Sequence, residues 1–457
     1  MSISNIAAMT AKQREFFGAG ATRPVEFRMK ALKSLREALI QNEALIFDAL
    51  DKDLGKRPME TYMCESGMVL DEISYHLKHL KGWARDKPAK TPMAQFHAKS
   101  FVSPEPYGLA LVMTPWNYPV QLCLSPVVGA ISAGNCVVVK PSAYAPASSR
   151  AVTKIIADAF DPAHVATIEG GREENKALLG EAFDYIFFTG SVAVGKAVMA
   201  AAAKNLTPVT LELGGKSPVI VDATANLKLA ARRVAFGKVL NSGQTCVAPD
   251  YLLIEESVRD GFVAEYKNAL NEFFPGGDMS GMTVMVNGKH FNRVTGLMAD
   301  EKAVVGGGSD QGRLFIEPTA LIDVSADSPI MSEEIFGPVL PIITFKKIDE
   351  CVSFVRARPK PLALYLFTSD KRTEETVLGG CSFGGGCIND TIIHLATPHM
   401  GFGGVGDSGM GSYHGKRSFD TFTHYRSIVR KSTWLDLKMR YHPYTEANFK
   451  MIRMFMK

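Results

Sequence analysis

Apolar side chains recur at three- and four-residue steps through EFRMKALKSLREALIQNEALIFDAL, and this spacing predicts a mainly helical opening from about Thr10 to Lys90. The pattern changes at KPAKTPMAQFHAKSFVSPEPYG, where four prolines stand among alternating residues. An extended connector is expected there, leaving one domain and returning as a protruding hairpin. Beyond it come the short apolar runs LALVMTPW, NCVVVKPS, HVATIEGG and DYIFFTG. Each is followed by helical sequence, for example from Val120 and from about Ala147 to Phe160. Continuous apolar strands alternating with helices predict a parallel sheet covered on both faces, with ligands at the carboxyl ends of its strands. From about Leu213 the alternation resumes with VTLELGGKSPVIV, a helix through RRVAFGKVL, the strand YLLIEE, and later VLPIITF and LALYLFT. This reads as a second α/β unit. After a glycine-rich stretch from Gly401, FDTFTHYRSIVRK predicts a strand that returns to the extended connector.

At 457 residues the chain favours two or three packed units over a single core. Hydrophobic residues at 46% and charged residues at 21% are ordinary globular values that allow a large buried core. The net charge of +4 arises from 51 basic and 47 acidic residues dispersed along the chain, which points away from a nucleic-acid partner. Cys64, Cys123, Cys136, Cys246, Cys351, Cys381 and Cys387 include no C-x-x-C, so neither a disulfide framework nor a zinc site is signalled. Reduced thiols and a cytoplasmic location are expected. The histidines show no H-E-x-x-H, and no metal site is expected. The start MSISNIAAMTAKQREFF lacks the pattern of a signal peptide, and no apolar run approaches the roughly 18 residues of a membrane span. The tail MIRMFMK reads as a frayed end or, at most, a weak surface or partner contact.

Cys246 lies in NSGQTCVAPDY between a helical run and a strand, with small and polar neighbours on its N-terminal side, so its thiol is expected to be accessible. A nucleophilic cysteine needs partial exposure and a field that stabilises the thiolate; a buried apolar cysteine is the bland alternative, to which the other six are assigned. Glu212 in TLELGGKSP stands at a strand end before two glycines, as a general base acting through water would, or as a solvated turn residue would. Asn117 in TPWNYP follows a strand; its amide could donate to an oxyanion or simply form a turn before Pro119. DYIFFTGSVAVGKA gives strand, glycine turn and helix start, which presents backbone N–H groups to phosphates. Its Gly190-to-Lys196 stretch mimics the opening of a P-loop, but Ala197 replaces the Ser or Thr that would ligate magnesium, and G-x-G-x-x-G is absent. GDSGMG around Ser408 is like a serine-protease nucleophile loop, but the parallel α/β context is wrong for that chemistry.

Taken in order, TPWNYP, VVVKPS, FFTGSVAVGK, ELGGKSP, GQTCVAPDY, EEIFGPV and GFGGVGDSGMGSYHGKRSFDTFTH resemble the aldehyde dehydrogenase superfamily, most nearly its class 3 branch. The motifs run from about residue 114 to 424, so the resemblance spans nearly the whole chain. It implies an α/β fold with a Rossmann-like cofactor domain, an α/β catalytic domain and a small bridging or oligomerisation sheet. The implied division is residues 1–90 and 106–211 for cofactor, 212–412 for catalysis, 91–105 and 413–440 for bridging, and 441–457 as tail.

The same resemblance implies NAD(P)+-dependent oxidation of aldehydes to carboxylic acids, with Cys246 as nucleophile, Glu212 as base for deacylation and Asn117 as oxyanion donor beside the Cys246 backbone N–H. Lys140 would contact the adenosine ribose or its phosphate, Gly190 and Ser191 would lie near the pyrophosphate, and Glu334 and Phe336 would position the nicotinamide ribose and ring. Gly195 and Leu213 complete the implied cofactor set. Tyr118, Phe236, Thr245 and Phe402 would line a substrate tunnel suited to aromatic or medium-chain aliphatic aldehydes, although core packing explains such aromatics equally well. No arginine stands in these motifs to clamp a substrate carboxylate. Where many relatives carry a glutamate that holds the ribose hydroxyls, this chain has Ala143, so good use of NADP as well as NAD is expected. A homodimer is implied. The alternatives are a CoA-acylating aldehyde dehydrogenase, against which Glu212 argues, and a non-catalytic structural or binding protein on the same fold.

Overall fold

The computed structural model describes residues 5–456, the side chain of Phe455 apart; Met1–Ser4 of the opening stretch and Lys457 of the tail lie outside them. The helical opening comprises Ile6–Gly18, Val25–Gln41, Glu43–Leu54, Pro58–Thr61 and Gly67–Trp83, with a π-helical turn, Tyr62–Ser66, before the last. Its three-and-four spacing has a direct consequence in packing: Leu32, Leu35, Leu39, Ile46, Leu50, Val69, Ile73 and Leu80 are all buried in one cluster with the strands behind them. Each such side chain contributes about 1.5–3 kcal/mol by leaving water.

Two large sheets follow. The first has six strands in the order Gly409–Met410, Val209–Leu213, Tyr185–Gly190, Leu109–Met113, Cys136–Lys140 and Val165–Thr167. All pairs are parallel except the one made by Gly409–Met410. Leu109–Met113 and Cys136–Lys140 are buried along their whole length, which is why they read as unbroken apolar runs rather than alternating ones. The chain builds outward on one side of Leu109–Met113 and then returns to the other side with Tyr185–Gly190. The carboxyl ends of those two neighbours therefore flank the switch point of the sheet, the place where such folds open a crevice.

Residues 214–217 carry the chain directly into the second sheet, of seven strands in the order Lys302–Val305, Thr319–Ile322, Val339–Phe345, Tyr251–Glu255, Pro218–Val221, Ala363–Phe367 and Gly385–Ile388. Only the Lys302–Val305 edge is antiparallel. The proline-rich connector forms the antiparallel hairpin Lys87–Ala89 and Ala98–Pro106, and Thr423–Lys431 pairs with its second strand from Thr423 opposite Pro106 to Lys431 opposite Ala98. The tail departs from the frayed end expected of it. Glu446–Phe455 is a helix whose start is capped by Thr445 Oγ1, which accepts from Asn448 N–H at 3.2 Å. Among the described residues, no helix is long and apolar enough to cross a membrane.

Candidate active site

At the switch point a cleft of about 290 Å³ opens, with Trp116, Asn117, Gly190, Ser191, Glu212, Leu213, Cys246, Glu334 and Phe336 among its lining residues. Asn117 is brought there because TPWNYP directly extends the strand Leu109–Met113 and is then held by a buried neighbour. Its Nδ2 donates to Gln244 O at 2.9 Å, two residues before Cys246.

The Cys246 loop is built differently from its expectation. The small and polar residues on its N-terminal side are themselves buried, Asn241, Ser242, Gly243 and Gln244 alike, while Cys246 reaches the cleft. Three of them in succession take left-handed backbone, with φ of 51° at Asn241, 53° at Ser242 and 68° at Gly243. A side chain at Gly243 would lie 2.3 Å from Gly337 O, so glycine is required both by conformation and by space. The turn is stabilised by Asn241 Nδ2, which donates to Asn117 O at 2.9 Å and Gln244 O at 3.0 Å, and by Gln244 Nε2, which donates to Val284 O at 2.9 Å. Cys246 itself is partly buried. Burial raises its thiol, the nearby carboxyl groups of Glu334 and Glu212 add to the rise, and the backbone N–H groups of Cys246 and Val247 oppose it.

Glu212 is not a solvated turn residue. It lies within the strand Val209–Leu213, opposite Thr189 on one side and Gly409 on the other, and is 2% exposed. Neither of its carboxyl oxygens has a hydrogen-bond partner among the described residues, and burial drives its pKa well above the carboxylate range. An unpartnered buried carboxyl group is expensive, so one facing a cleft is a candidate for exchange with water or ligand. Glu334 stands on the other wall. Burial first, then Asp250, raises it to about 8, and its Oε1 is also unpartnered. Its carboxyl group rests over Gly214, where an added Cβ would fall 2.1 Å from Glu334 Oε2.

The remaining residues singled out in the sequence divide. Gly195 is buried at the point where the helix Val192–Ala203 crosses Leu213; an added Cβ would lie 2.6 Å from Leu213 Cδ2. Lys140 is buried rather than on the cleft wall, its Nζ donating to Pro141 O at 2.8 Å and Gly170 O at 2.7 Å. Ala143 is exposed in the turn just beyond it. Tyr118 and Thr245 are buried and joined by a 2.6 Å hydrogen bond, and Phe402 is buried among His394, Tyr413 and His414. Phe236 is 36% exposed on the helix Leu227–Val239, and none of these four is on the wall of the cleft. Helix begins at Val192, immediately after Ser191, which leaves no loop of the P-loop kind. Ser408 Oγ donates to Val405 O and accepts from its N–H, both at 3.0 Å, a buried turn clasp with no nucleophilic character.

The aldehyde dehydrogenase family model matches residues 3–428. The chain belongs to the aldehyde dehydrogenase family. It is 48% identical to 4,4'-diaponeurosporen-aldehyde dehydrogenase of Staphylococcus aureus, over 97% of each chain. It is 45% identical to the mouse dimeric NADP-preferring aldehyde dehydrogenase, over 94% of this chain and 95% of that one. The solved structure of Staphylococcus aureus AldH in a substrate-bound state superposes with a TM-score of 0.97 at 47% identity, covering 99% of both chains. This aldehyde dehydrogenase is therefore an NAD(P)+-dependent oxidoreductase of the class 3 kind, with the fold of its solved relatives.

The cleft of this aldehyde dehydrogenase fits a dinucleotide on its own terms. Ser191 starts a twelve-residue helix, Val192–Ala203, whose first N–H groups lie at the carboxyl end of the strand Tyr185–Gly190. The unpartnered Oε1 of Glu334 is an acceptor in search of a hydroxyl, and Phe336 sets an apolar ring against Trp116 with centroids 5.3 Å apart. His290, Arg293 and Glu333, which no motif marks, also line the cleft. Nothing in the local pattern of the helix Gly288–Met298 distinguishes His290 and Arg293 from surface residues; only the chain crossing reveals them. Arg293 is already engaged, donating to Glu333 Oε1 at 3.1 Å, Glu334 O at 3.1 Å and Ile335 O at 2.6 Å. It holds the Glu334 segment in register. Among the described residues, no cluster of side chains suits a metal ion.

Proposed function

We propose that this aldehyde dehydrogenase oxidises aromatic or medium-chain aliphatic aldehydes to carboxylic acids through a thiohemiacetal and then a thioester on Cys246, with water activated at Glu212 for the final hydrolysis. The observation that carries this reading is the convergence of Cys246, Asn117, Glu212 and Glu334 on one small cleft at the switch point of the first sheet.

Addition of Cys246 Sγ to the aldehyde carbon comes first, because an aldehyde becomes a competent hydride donor only when its carbon is tetrahedral and carries an oxyanion. Asn117 Nδ2 has two N–H groups; Gln244 O takes one, leaving the other for that oxyanion together with the Cys246 backbone N–H. A nicotinamide dinucleotide held here would supply the hydride acceptor and a cationic ring whose field favours the thiolate. Gly190, Ser191 and the helix start would hold its phosphates, Glu334 its ribose hydroxyls, and Phe336 would support its ring against Trp116. Gly195 and Leu213 would keep that helix close to the sheet, and the remaining N–H of Lys140 would serve the adenosine ribose. Glu212, held without internal partners, then accepts the proton of the water that attacks the thioester.

Ala143 supports good use of NADP, since its exposed turn offers no carboxylate to repel an added phosphate. A relative named as NADP-preferring agrees with that reading. The apolar substrate class is supported by Trp116, Leu122 and Leu213, which line the cleft. A homodimer is supported by the free edge of Thr423–Lys431 in the three-stranded sheet and by the dimeric relative. Cys246→Ala should still bind cofactor yet form no acid; retained oxidation would remove Cys246 from the scheme. Acid formation in the absence of CoA separates hydrolysis from CoA acylation, and a requirement for CoA would overturn the role of Glu212.

A further inference from the structure

Behind the oxyanion loop lies an ion pair that water does not reach. Lys56 Nζ and Glu65 Oε1 meet at 2.7 Å, with both side chains 0% exposed. Glu65 belongs to the π-helical turn Tyr62–Ser66, an irregularity of a kind often retained where a side chain must be aimed. Its other oxygen accepts from Val120 N–H at 3.0 Å and Gln121 N–H at 2.9 Å, tying it to the start of the helix Gln121–Ala133. Lys56 Nζ reaches further, donating to Asn117 O at 3.2 Å and standing 4.3 Å from the centre of the Tyr118 ring. Asn241 Nδ2 donates to the same Asn117 carbonyl at 2.9 Å. The Asn117 amide and the Tyr118 hydroxyl in turn contact Gln244 O and Thr245 Oγ1, the two residues before Cys246.

Taking two charges from water is costly, and apolar residues of equal volume often serve stability as well. The arrangement instead specifies position. A cation with three donors reaches the carboxylate, the Asn117 carbonyl and the aromatic face at once, which no apolar side chain can do. We propose that Lys56, fixed by Glu65, is a positioning residue for Asn117, with Asn241 as the second brace on the same carbonyl. The inference rests on the oxyanion role given to Asn117 above.

A double-mutant cycle tests it, with kcat, KM and cofactor dissociation constant measured on the full-length enzyme. Asn117→Ala alone should lower kcat, and unchanged kcat there would overturn the oxyanion reading and this inference with it. Lys56→Met/Glu65→Gln removes both buried charges together. It should lower kcat by about 10- to 100-fold, the scale expected for a small misplacement of a reacting group, with KM and cofactor binding little changed. In the Asn117→Ala background the same pair of changes should cost less than about twofold, because the group being positioned is already gone. An equal fall in both backgrounds, or an effect on KM alone, shows a merely structural role and overturns the proposal. If the charge-free variant does not fold, Asn241→Gly keeps the left-handed backbone and removes the second brace together with its bond to Gln244 O. Its loss of kcat should likewise vanish in the Asn117→Ala background, and persistence would overturn the proposal.

Discussion

Glu212→Gln keeps the shape of a buried side chain while removing its ability to ionise. In the folded enzyme both carboxyl oxygens lack partners and burial raises the pKa, whereas in the unfolded chain the group ionises in the ordinary carboxylate range. The sign follows from linkage. Below that range the group is neutral in both states and costs nothing by ionisation; as pH rises the unfolded chain loses its proton first, so stability falls until the folded group also ionises. Each pH unit between the unfolded and the folded pKa costs about 1.4 kcal/mol. With an unfolding entropy of about 2.1 cal/mol/K per residue over 457 residues, each kcal/mol corresponds to about 1 °C in Tm. Wild type and variant should therefore melt most nearly together near pH 4 and part by about 1 °C for each pH unit above it, variant higher, until the folded group ionises. In rapid-mixing kinetics the variant should give a burst of one reduced cofactor per Cys246 and then turn over about 10²- to 10⁴-fold more slowly, because the thioester persists. A normal steady-state rate, or melting curves that never part with pH, would refute the reasoning.

Asn117→Ala should lower kcat by about 10²- to 10³-fold through loss of an oxyanion donor, with cofactor binding intact by fluorescence titration. Ala143→Glu restores a carboxylate in the exposed turn after Lys140; it should shift the ratio of kcat/KM towards NAD+ by about one to two powers of ten, and an unchanged ratio would remove this position from cofactor choice. Gly214→Ala puts a methyl group 2.1 Å from Glu334 Oε2 and should weaken cofactor binding, a displacement that the dissociation constant reads directly. A panel of aromatic, aliphatic and semialdehyde substrates should favour the first two; preference for small charged aldehydes would reject the apolar substrate class.

Much of the architecture was legible locally. Period three-to-four apolar spacing marks the helices from Val25 to Leu54, and unbroken apolar runs mark Leu109–Met113 and Cys136–Lys140, because both signals are written by burial of neighbouring residues. The extended connector and the strand Thr423–Lys431 could likewise be read as partners, each being too polar for the core yet regular in spacing. The reading failed where a residue's meaning lay in a distant contact. NSGQ before Cys246 reads as an open, polar approach, but it is buried and the side-chain amides of Asn241 and Gln244 donate to Asn117, Val284 and one another. Lys56 and Glu65 carry no local mark of pairing, and only the fold brings them together as a dry pair beneath Asn117.

The sequence by itself determined which segments become helix or strand and which reactive side chains are available, since those depend on steric preference and hydrophobic period over a few residues. Only the folded chain brings Asn117, Glu212, Cys246, His290, Arg293 and Glu334, drawn from a strand of the first sheet, three loops and the helix Gly288–Met298, to one cleft. The cause is physical. The electrostatics of a buried group depend on what the chain crossing places beside it, and that neighbour is commonly a hundred or more residues away, as Gln244 is from Asn117 at a separation of 127.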